Sequence, residues 1–183
     1  MTPDFPVLAT PRLRLRPPRE ADVPALFAIF SDPETMRYWT TLPMSDVAEA
    51  EALLHEIESC AEAGTLFQWG IARRDDDEVI GTCTLYRIER EHRRAELGYI
   101  LRRDQWGRGF AHEALTAVLS HAFTTLGLNR LEADIDSRNA RSIRSIERLG
   151  FKLEGHLHER YFVGGDIQDS LMYGLLAREW GVR

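Results

Sequence analysis

The sequence has few cysteines and no long apolar run, and both absences narrow what the protein can be. Cys60 and Cys83 are the only cysteines among 183 residues, and they have neither Cys-x-x-Cys spacing nor a matching histidine cluster. This disfavours a disulfide framework and predicts buried free thiols. Nowhere do 18 apolar residues follow one another, and residues 1–16 lack the apolar core of a secretion signal. We therefore expect a soluble, cytoplasmic protein that does not enter a membrane.

An excess of positive charge is also absent. The formal net charge is −6, which argues against a general nucleic-acid or membrane-surface binder, because both need a basic surface. Any anion site must therefore be local. The sequence has no internal repeat, no low-complexity stretch and no flexible linker, and 44% of its residues are hydrophobic. One domain spanning residues 1–183 is expected.

Hydrophobic periodicity predicts alternating helices and strands. Strands are expected at 12–16, 65–72, 78–87, 94–101, 130–135, 151–163 and 168–176, and helices at 19–30, 45–63, 111–126 and 139–149. Ser45 is the expected N-cap of the second helix, and Gly64 should end it. Residues 32–44 have no clear period, which fits either a mobile binding segment or an ordinary packed connection. This order predicts an α/β or α+β sandwich with at least one helical crossover.

A glycine-containing turn joins the strand ending at Leu101 to the most strongly periodic helix. The turn reads Trp106-Gly107-Arg108-Gly109-Phe110-Ala111. Amides at a helix N-terminus carry partial positive charge, and two glycines let a diphosphate approach the backbone. Arg102, Arg103 and Arg108 add charged donors beside it. The alternative is a plain turn with solvated arginines, but the strand-to-helix context favours an anion site. A dinucleotide fingerprint and a P-loop are excluded, because the third glycine and the Gly-Lys-Ser/Thr are missing.

This turn resembles the signature Arg/Gln-x-x-Gly-x-Gly/Ala of the GNAT superfamily of N-acetyltransferases, with Trp106 replacing the first residue. Two further segments, at residues 10–16 and 139–151, resemble the branch of ribosomal-protein N-terminal acetyltransferases of Rim type. The resemblance implies a mixed, twisted, largely antiparallel sheet of about seven strands flanked by about four helices. It also implies that strands four and five splay apart around acetyl-CoA, with the pyrophosphate on the following helix.

The resemblance implies direct transfer of an acetyl group from acetyl-CoA to a primary amine. A protein N-terminal α-amine is favoured, because its reference pKa of about 8 leaves part of it neutral at physiological pH, unlike lysine at about 10.4. The alternatives are a small-molecule amine, such as an antibiotic, a polyamine or an amino acid, and a non-catalytic acyl-CoA-binding module. The acceptor should enter near residues 38–44 and 161–169. Monomer and homodimer are both left open.

The residues expected to hold acetyl-CoA are Ile100, Leu101, Arg102, Arg103, Trp106, Gly107, Arg108, Gly109, Phe110, Ala111 and Asn139. In this set, the backbone amides of Ile100 and Leu101 would bind the pantetheine arm. Asn139 lies three residues before Ser142, so the two share a helix face. By resemblance Asn139 contacts the pantetheine or thiol region, although it could simply cap its helix.

Glu96 and Ser142 are the predicted catalytic residues. Period two places Glu96 on the same side of its strand as Gly98 and Ile100, so it would be partly desolvated. By resemblance it is the general base, acting directly or through water, and the alternative is an ion pair with Arg93 or Arg94. By resemblance Ser142 protonates the leaving sulfur, with Tyr161 as a rival acid.

No metal is expected. Glu154, His156 and His158 alternate along one strand face, a spacing that suits metal ligands. Without a third fixed ligand, a solvated face is the favoured interpretation.

Overall fold

The computed structural model describes residues 5–181 as a mixed sheet with helices on both faces. Within these residues the strands are β1 (Leu8–Ala9), β2 (Leu13–Arg16), β3 (Phe67–Arg73), β4 (Val79–Glu89), β5 (Arg94–Leu101), β6 (Arg130–Asp136), β7 (Lys152–Val163) and β8 (Asp166–Leu176). The α-helices are α1 (Val23–Phe30), α2 (Pro33–Met36), α3 (Val47–Ala63), α4 (Phe110–Thr124) and α5 (Ala140–Leu149). Short 3-10 turns lie at Glu20–Asp22, Arg103–Gln105 and Ala177–Glu179. The predicted fold class is confirmed, and the additions to it are the two-residue β1 and the four-residue α2.

The sheet order is β1-β2-β3-β4-β5-β6-β8-β7. Only β5 and β6 run parallel, and every other neighbouring pair is antiparallel. Parallel neighbours need a crossover, which α4 supplies. Because β1 precedes the first predicted strand, the expected splay between strands four and five falls between β5 and β6.

The two parallel strands separate after three residue pairs. Arg94–Glu96 pairs with Arg130–Glu132, and the pairing stops there. Beyond that point β5 continues on β4 alone and β6 continues on β8 alone. Backbone groups along the facing edges are therefore available to a ligand, because none of the described strands pairs with them.

Each face of the sheet has its own core. On one face α4 and α5 cover the inward side chains of the central strands, with Trp69, Leu115 and Ile146 fully buried. On the other face α1 and α3 pack over Val79 and Ile100. Burial of each large apolar side chain contributes about 1.5–3 kcal/mol, so both helical layers hold the sheet firmly.

Three helix ends differ from the prediction: α1 begins at Val23 after a 3-10 turn, α4 ends at Thr124, and the start of α3 differs in its cap. The N-cap of α3 is Asp46 and not Ser45, because the Asp46 carboxylate accepts a hydrogen bond from the Ala48 amide at 2.9 Å. Ser45 instead donates its amide and hydroxyl to Glu49, at 2.8 and 2.9 Å. Gly64 ends α3 in the left-handed region, as predicted.

The structure also bears on the cysteines, on membrane-spanning helices and on the connection at residues 32–44. Cys83 is fully buried and Cys60 half-buried, and both are free thiols. In the part of the chain from residue 5 to 181, no helix has the length and apolar character needed to cross a membrane. Residues 32–44 contain α2, which Asp32 caps by accepting from the Glu34 amide.

Candidate active site

A cavity of about 750 Å³ lies beside the split between β5 and β6. Its walls come from residues 38–44, from α3, from β3 to β6 and from α5, and they include both segments expected at the acceptor entrance. Glu96 and Gly98 lie on the strand face that also presents Ile100 to α1 and α3. Tyr99 packs against the core on the opposite face. The cavity thus joins the two sides of the sheet where the strands part.

The turn before α4 has the backbone geometry that the anion hypothesis requires. Gly107 and Gly109 have φ angles of 75° and 80°, a region that favours glycine. No side chain within residues 5–181 caps the first turn of α4. Helix-initial amides without a cap carry partial positive charge, which suits phosphate oxygens. A Cβ at Gly107 would meet no atom within 4 Å, so the space beside its Cα is open.

Trp106, which departs from the family signature, fastens this turn to β5. Its indole Nε1 donates to the Leu101 carbonyl at 2.7 Å. The guanidinium of Arg141 lies 4.4 Å from the centre of its ring, a cation–π contact that brings α5 to the turn. Arg141 lies in the segment 139–151 that carries the family resemblance, but sequence reasoning gave it no role at the site.

The three predicted arginines lie near the turn but differ in their partners. Arg102 pairs with Asp104 at 2.7 Å and with Glu78 at 2.6 Å, and the hydrogen bonds that it donates to these carboxylates raise its pKa. Arg108 donates to the Gln105 amide oxygen at 2.8 Å. Arg103 is exposed. A phosphate role for these side chains stays a prediction, and the guanidinium of Arg102 already has two carboxylate partners.

Hydrogen bonds from the N-terminal segment hold the first turn of α4 in place. Glu113 accepts from the Thr10 hydroxyl at 2.6 Å, from the Arg12 amide at 2.8 Å and from Arg12 Nε at 2.6 Å. Arg12 also donates to the Arg108 carbonyl at 2.9 Å. Burial raises the pKa of Glu113, but these hydrogen bonds outweigh it and the net shift is downward. Residues 10–16 therefore contact the glycine turn and the start of α4 directly, although they lie far from both in the sequence.

Glu96 is buried at the point where β5 and β6 part, and its side chain is only 10% exposed. Arg87 Nη1 donates to it at 2.9 Å from a β-bulge in β4, where Arg87 has a φ of 48°. The alternative partners were wrong: Arg93 donates to the Gly127 carbonyl and Arg94 pairs with Glu89 and Glu132. The bulge redirects Arg87, which is a common use of bulges near sites.

Ser142 and Asn139 meet at the first turn of α5, and both line the cavity. Asn139 caps the helix, because its Oδ1 accepts from the Ser142 amide at 3.1 Å. The Ser142 hydroxyl lies 2.9 Å from the hydroxyl of Tyr99 on β5. Burial raises the pKa of Tyr99. The two hydroxyls form a pair at the cavity wall that sequence reasoning did not include.

Tyr161, the rival acid, lies elsewhere on the cavity wall. Its hydroxyl donates to Asp134 at 2.9 Å, and burial together with this carboxylate raises its pKa. Asp134 is also 3.5 Å from Arg160.

Gln68 has an amide nitrogen with no partner. The residue is 7% exposed, lines the cavity and accepts from the Thr84 hydroxyl at 3.1 Å through Oε1. Its Nε2 is buried and has no hydrogen-bond acceptor in the described chain. Buried polar atoms are normally paired, so this unpartnered donor is an exception.

The histidine pair on β7 has a third neighbour that the sequence did not indicate. Asp169 on β8 lies 2.7 Å from His156 Nε2 and 3.1 Å from His158 Nδ1. Glu154, which alternates with the histidines along β7, pairs with Arg130 instead. The three atoms of this cluster lie within 4.8 Å of one another.

Comparison with known proteins gives the same picture as the geometry. A family model described as an acetyltransferase (GNAT) domain matches residues 12–152. An uncharacterized N-acetyltransferase of Bacillus licheniformis, p20, is 38% identical over 173 residues, which are 94% of this chain and 97% of that protein.

Two solved structures share the fold and are 25% identical in sequence. Spermidine N-acetyltransferase from Vibrio cholerae in complex with CoA and spermine has a TM-score of 0.83 and covers 93% of this chain and 98% of its own. Mycobacterium smegmatis RimJ in complex with CoA-disulfide has a TM-score of 0.86 and covers 96% and 90%. With its split sheet and its glycine turn at the start of α4, the chain belongs to the GNAT family and is an acetyl-CoA-dependent N-acetyltransferase.

Proposed function

We propose that this enzyme acetylates the α-amine of a polypeptide N-terminus and belongs to the Rim-type branch. The observation that carries the proposal is that a buried carboxylate, Glu96, and the unpartnered Gln68 amide line the same cavity. A peptide N-terminus carries an amine beside a carbonyl acceptor, so it can use both groups. A polyamine has no acceptor to offer Gln68.

The charges in the cavity support the same acceptor. Three carboxylates on its wall already have arginine partners, since Glu96 pairs with Arg87, Asp134 with Arg160 and Asp136 with Arg138. A multiply charged cation would compete with these arginines. An acceptor with one positive charge and neutral polar groups fits better.

The proposed chemistry follows from the positions of two groups. Acetyl-CoA supplies the activated acetyl group as a thioester. Glu96 removes a proton from the amine as nitrogen bonds to the carbonyl carbon and the carbon–sulfur bond breaks. The Ser142 hydroxyl, beside Tyr99, protonates the departing sulfur. Backbone amides along β5, including those of Ile100 and Leu101, orient the pantetheine arm. Asn139, the N-cap of α5, contacts the pantetheine or thiol region.

A second candidate acceptor is a polyamine. Glu49 and Glu56 are exposed on α3, line the cavity and are two helical turns apart. Together they could bind a cation at the cavity mouth.

A single domain spanning the chain and a cytoplasmic location stay predictions from the sequence.

The deciding experiment is CoA release from acetyl-CoA across a panel of N-terminal peptides, N-terminally blocked lysine peptides, spermidine and small amines. The proposal expects the highest kcat/KM with N-terminal peptides. A higher kcat/KM with spermidine would show that the acceptor is a polyamine, the second candidate. Thermal stabilisation by acetyl-CoA without turnover of any amine would indicate a binding module.

Gln68→Met should lower kcat/KM for N-terminal peptides about three- to tenfold, because one hydrogen bond to the substrate carbonyl is lost. Turnover of butylamine, which has no carbonyl, serves as the control and should change little. Steady-state kinetics with both amines measures the difference. Equal losses for the two amines would mean that Gln68 only shapes the cavity.

Ser142→Ala should lower kcat roughly tenfold, less than the 10²–10⁴ of an indispensable general acid, because a thiolate with a reference pKa near 8.5 leaves without much help. Tyr99→Phe should have a smaller effect in the same direction, since the Tyr99 hydroxyl only orients Ser142. Single-turnover rates at saturating peptide measure both. A larger loss in Tyr161→Phe than in Ser142→Ala would assign the acid role to Tyr161.

A further inference from the structure

The hairpin formed by β7 and β8 contains a cluster of metal-ligating side chains that the acetyl transfer does not use. His156 and His158 lie on β7 and are exposed, and Asp169 faces them from β8. The two imidazole rings are 4.2 Å apart between centroids. We propose that His156, His158 and Asp169 bind a zinc ion, which clamps the hairpin beside the acceptor cavity.

A β-bulge brings the three side chains together. Pairing between β7 and β8 is irregular between Leu157 and Tyr161, so residues 158–160 lie opposite Asp169. Glu159 has a φ of 51° there, and its amide donates to Asp169 Oδ1 at 2.8 Å. A regular ladder would give each of these residues its own partner, so the bulge creates the cluster.

The hydrogen bond from Glu159 prepares the carboxylate for a cation. It holds Oδ1 and leaves Oδ2 facing both rings, as outer hydrogen bonds commonly do for metal ligands.

The distances suit zinc after small side-chain rotations. Zinc lies about 2 Å from nitrogen and oxygen ligands, which puts tetrahedral ligands roughly 3–3.5 Å apart. Oδ2 of Asp169 is already 2.7 and 3.1 Å from the two ring nitrogens. Two imidazoles and one carboxylate leave a fourth position for water. Asp169 also lines the acceptor cavity, so a bound ion would fix one of its walls.

The test is a calorimetric titration of the untagged, chelator-treated full chain with ZnCl₂. We expect saturable binding of one ion per chain and a rise in the melting temperature. His156→Gln and His158→Gln should each weaken binding at least about tenfold. His55→Gln, an exposed histidine on α3 that faces Glu58, is the matched control and should bind as the unmodified chain does.

Two further measurements keep the test independent of variant folding. Each variant is checked for stabilisation by CoA, and Co²⁺ is added to the unmodified chain, where visible absorption bands of a nitrogen-ligated ion are expected. Absence of saturable Zn²⁺ binding, or of these Co²⁺ bands, would overturn the proposal. So would unchanged affinity in the His156→Gln/His158→Gln double variant.

Discussion

Replacing Glu96 with glutamine should lower kcat by about 10²–10⁴ while leaving acetyl-CoA affinity unchanged, because a positioned general base typically contributes that much. Glutamine has the same shape and keeps an oxygen that can accept from Arg87, so the fold at the split should persist. The amine would then have to lose its proton to solvent. Stopped-flow release of CoA measures the rate, and calorimetry with CoA measures the affinity.

Glu132 supplies a matched control for this variant. It lies opposite Glu96 in the last β5–β6 pair, is 19% exposed and pairs with Arg94 and Arg130. Unlike Glu96, it is not among the residues that line the cavity. Glu132→Gln should therefore reduce stability more than turnover. Equal kcat in Glu96→Gln and the unmodified enzyme would contradict the base assignment.

Substituting alanine for Gly107 should weaken acetyl-CoA binding about 10- to 100-fold. At φ 75° an alanine is strained by about 1–3 kcal/mol, and relief of the strain turns the amides away from the diphosphate. The added Cβ meets no atom of the described residues within 4 Å, chain neighbours apart, so a loss of affinity would not come from a clash inside the protein. Calorimetric titration with CoA measures the loss.

Gly127→Ala separates ligand contact from backbone strain. Gly127 has a φ of 64°, and a Cβ there also meets nothing within 4 Å, but it follows α4 at the end away from the turn. Both variants should lose similar stability in thermal unfolding. Only Gly107→Ala should lose CoA affinity, and equal affinities in the two variants would refute the assignment of the turn.

The turn was predictable because its signal is local. Glycines at a helix start act through their own φ angles and through amides of adjacent residues, so a short stretch of sequence contains the information. The same holds for the core side of α4, which a single apolar stripe marks. Even Trp106 could be assigned to the turn, although its bond to the Leu101 carbonyl could not.

The partners of the site residues were not predictable in the same way. Arg87 reaches Glu96 only because a bulge reverses the usual alternation of β4, whereas period two assumes a regular strand. The ion pair between Arg12 and Glu113 joins residues 101 positions apart. Asp169 reaches the histidines through an irregular register that no spacing rule contains.

By itself the sequence determined most of the helices and strands, the position of the glycine turn before α4 and the family, since each depends on local backbone preference or a contiguous pattern. The tertiary structure decided which charges pair at Glu96, which hydroxyl accompanies Ser142, which amide of the cavity is unpartnered and which third side chain joins the histidines. These depend on strand pairing, bulges and helix docking, which bring distant residues within a few ångströms. The contacts of the residues that line the cavity could therefore be identified only from the tertiary structure.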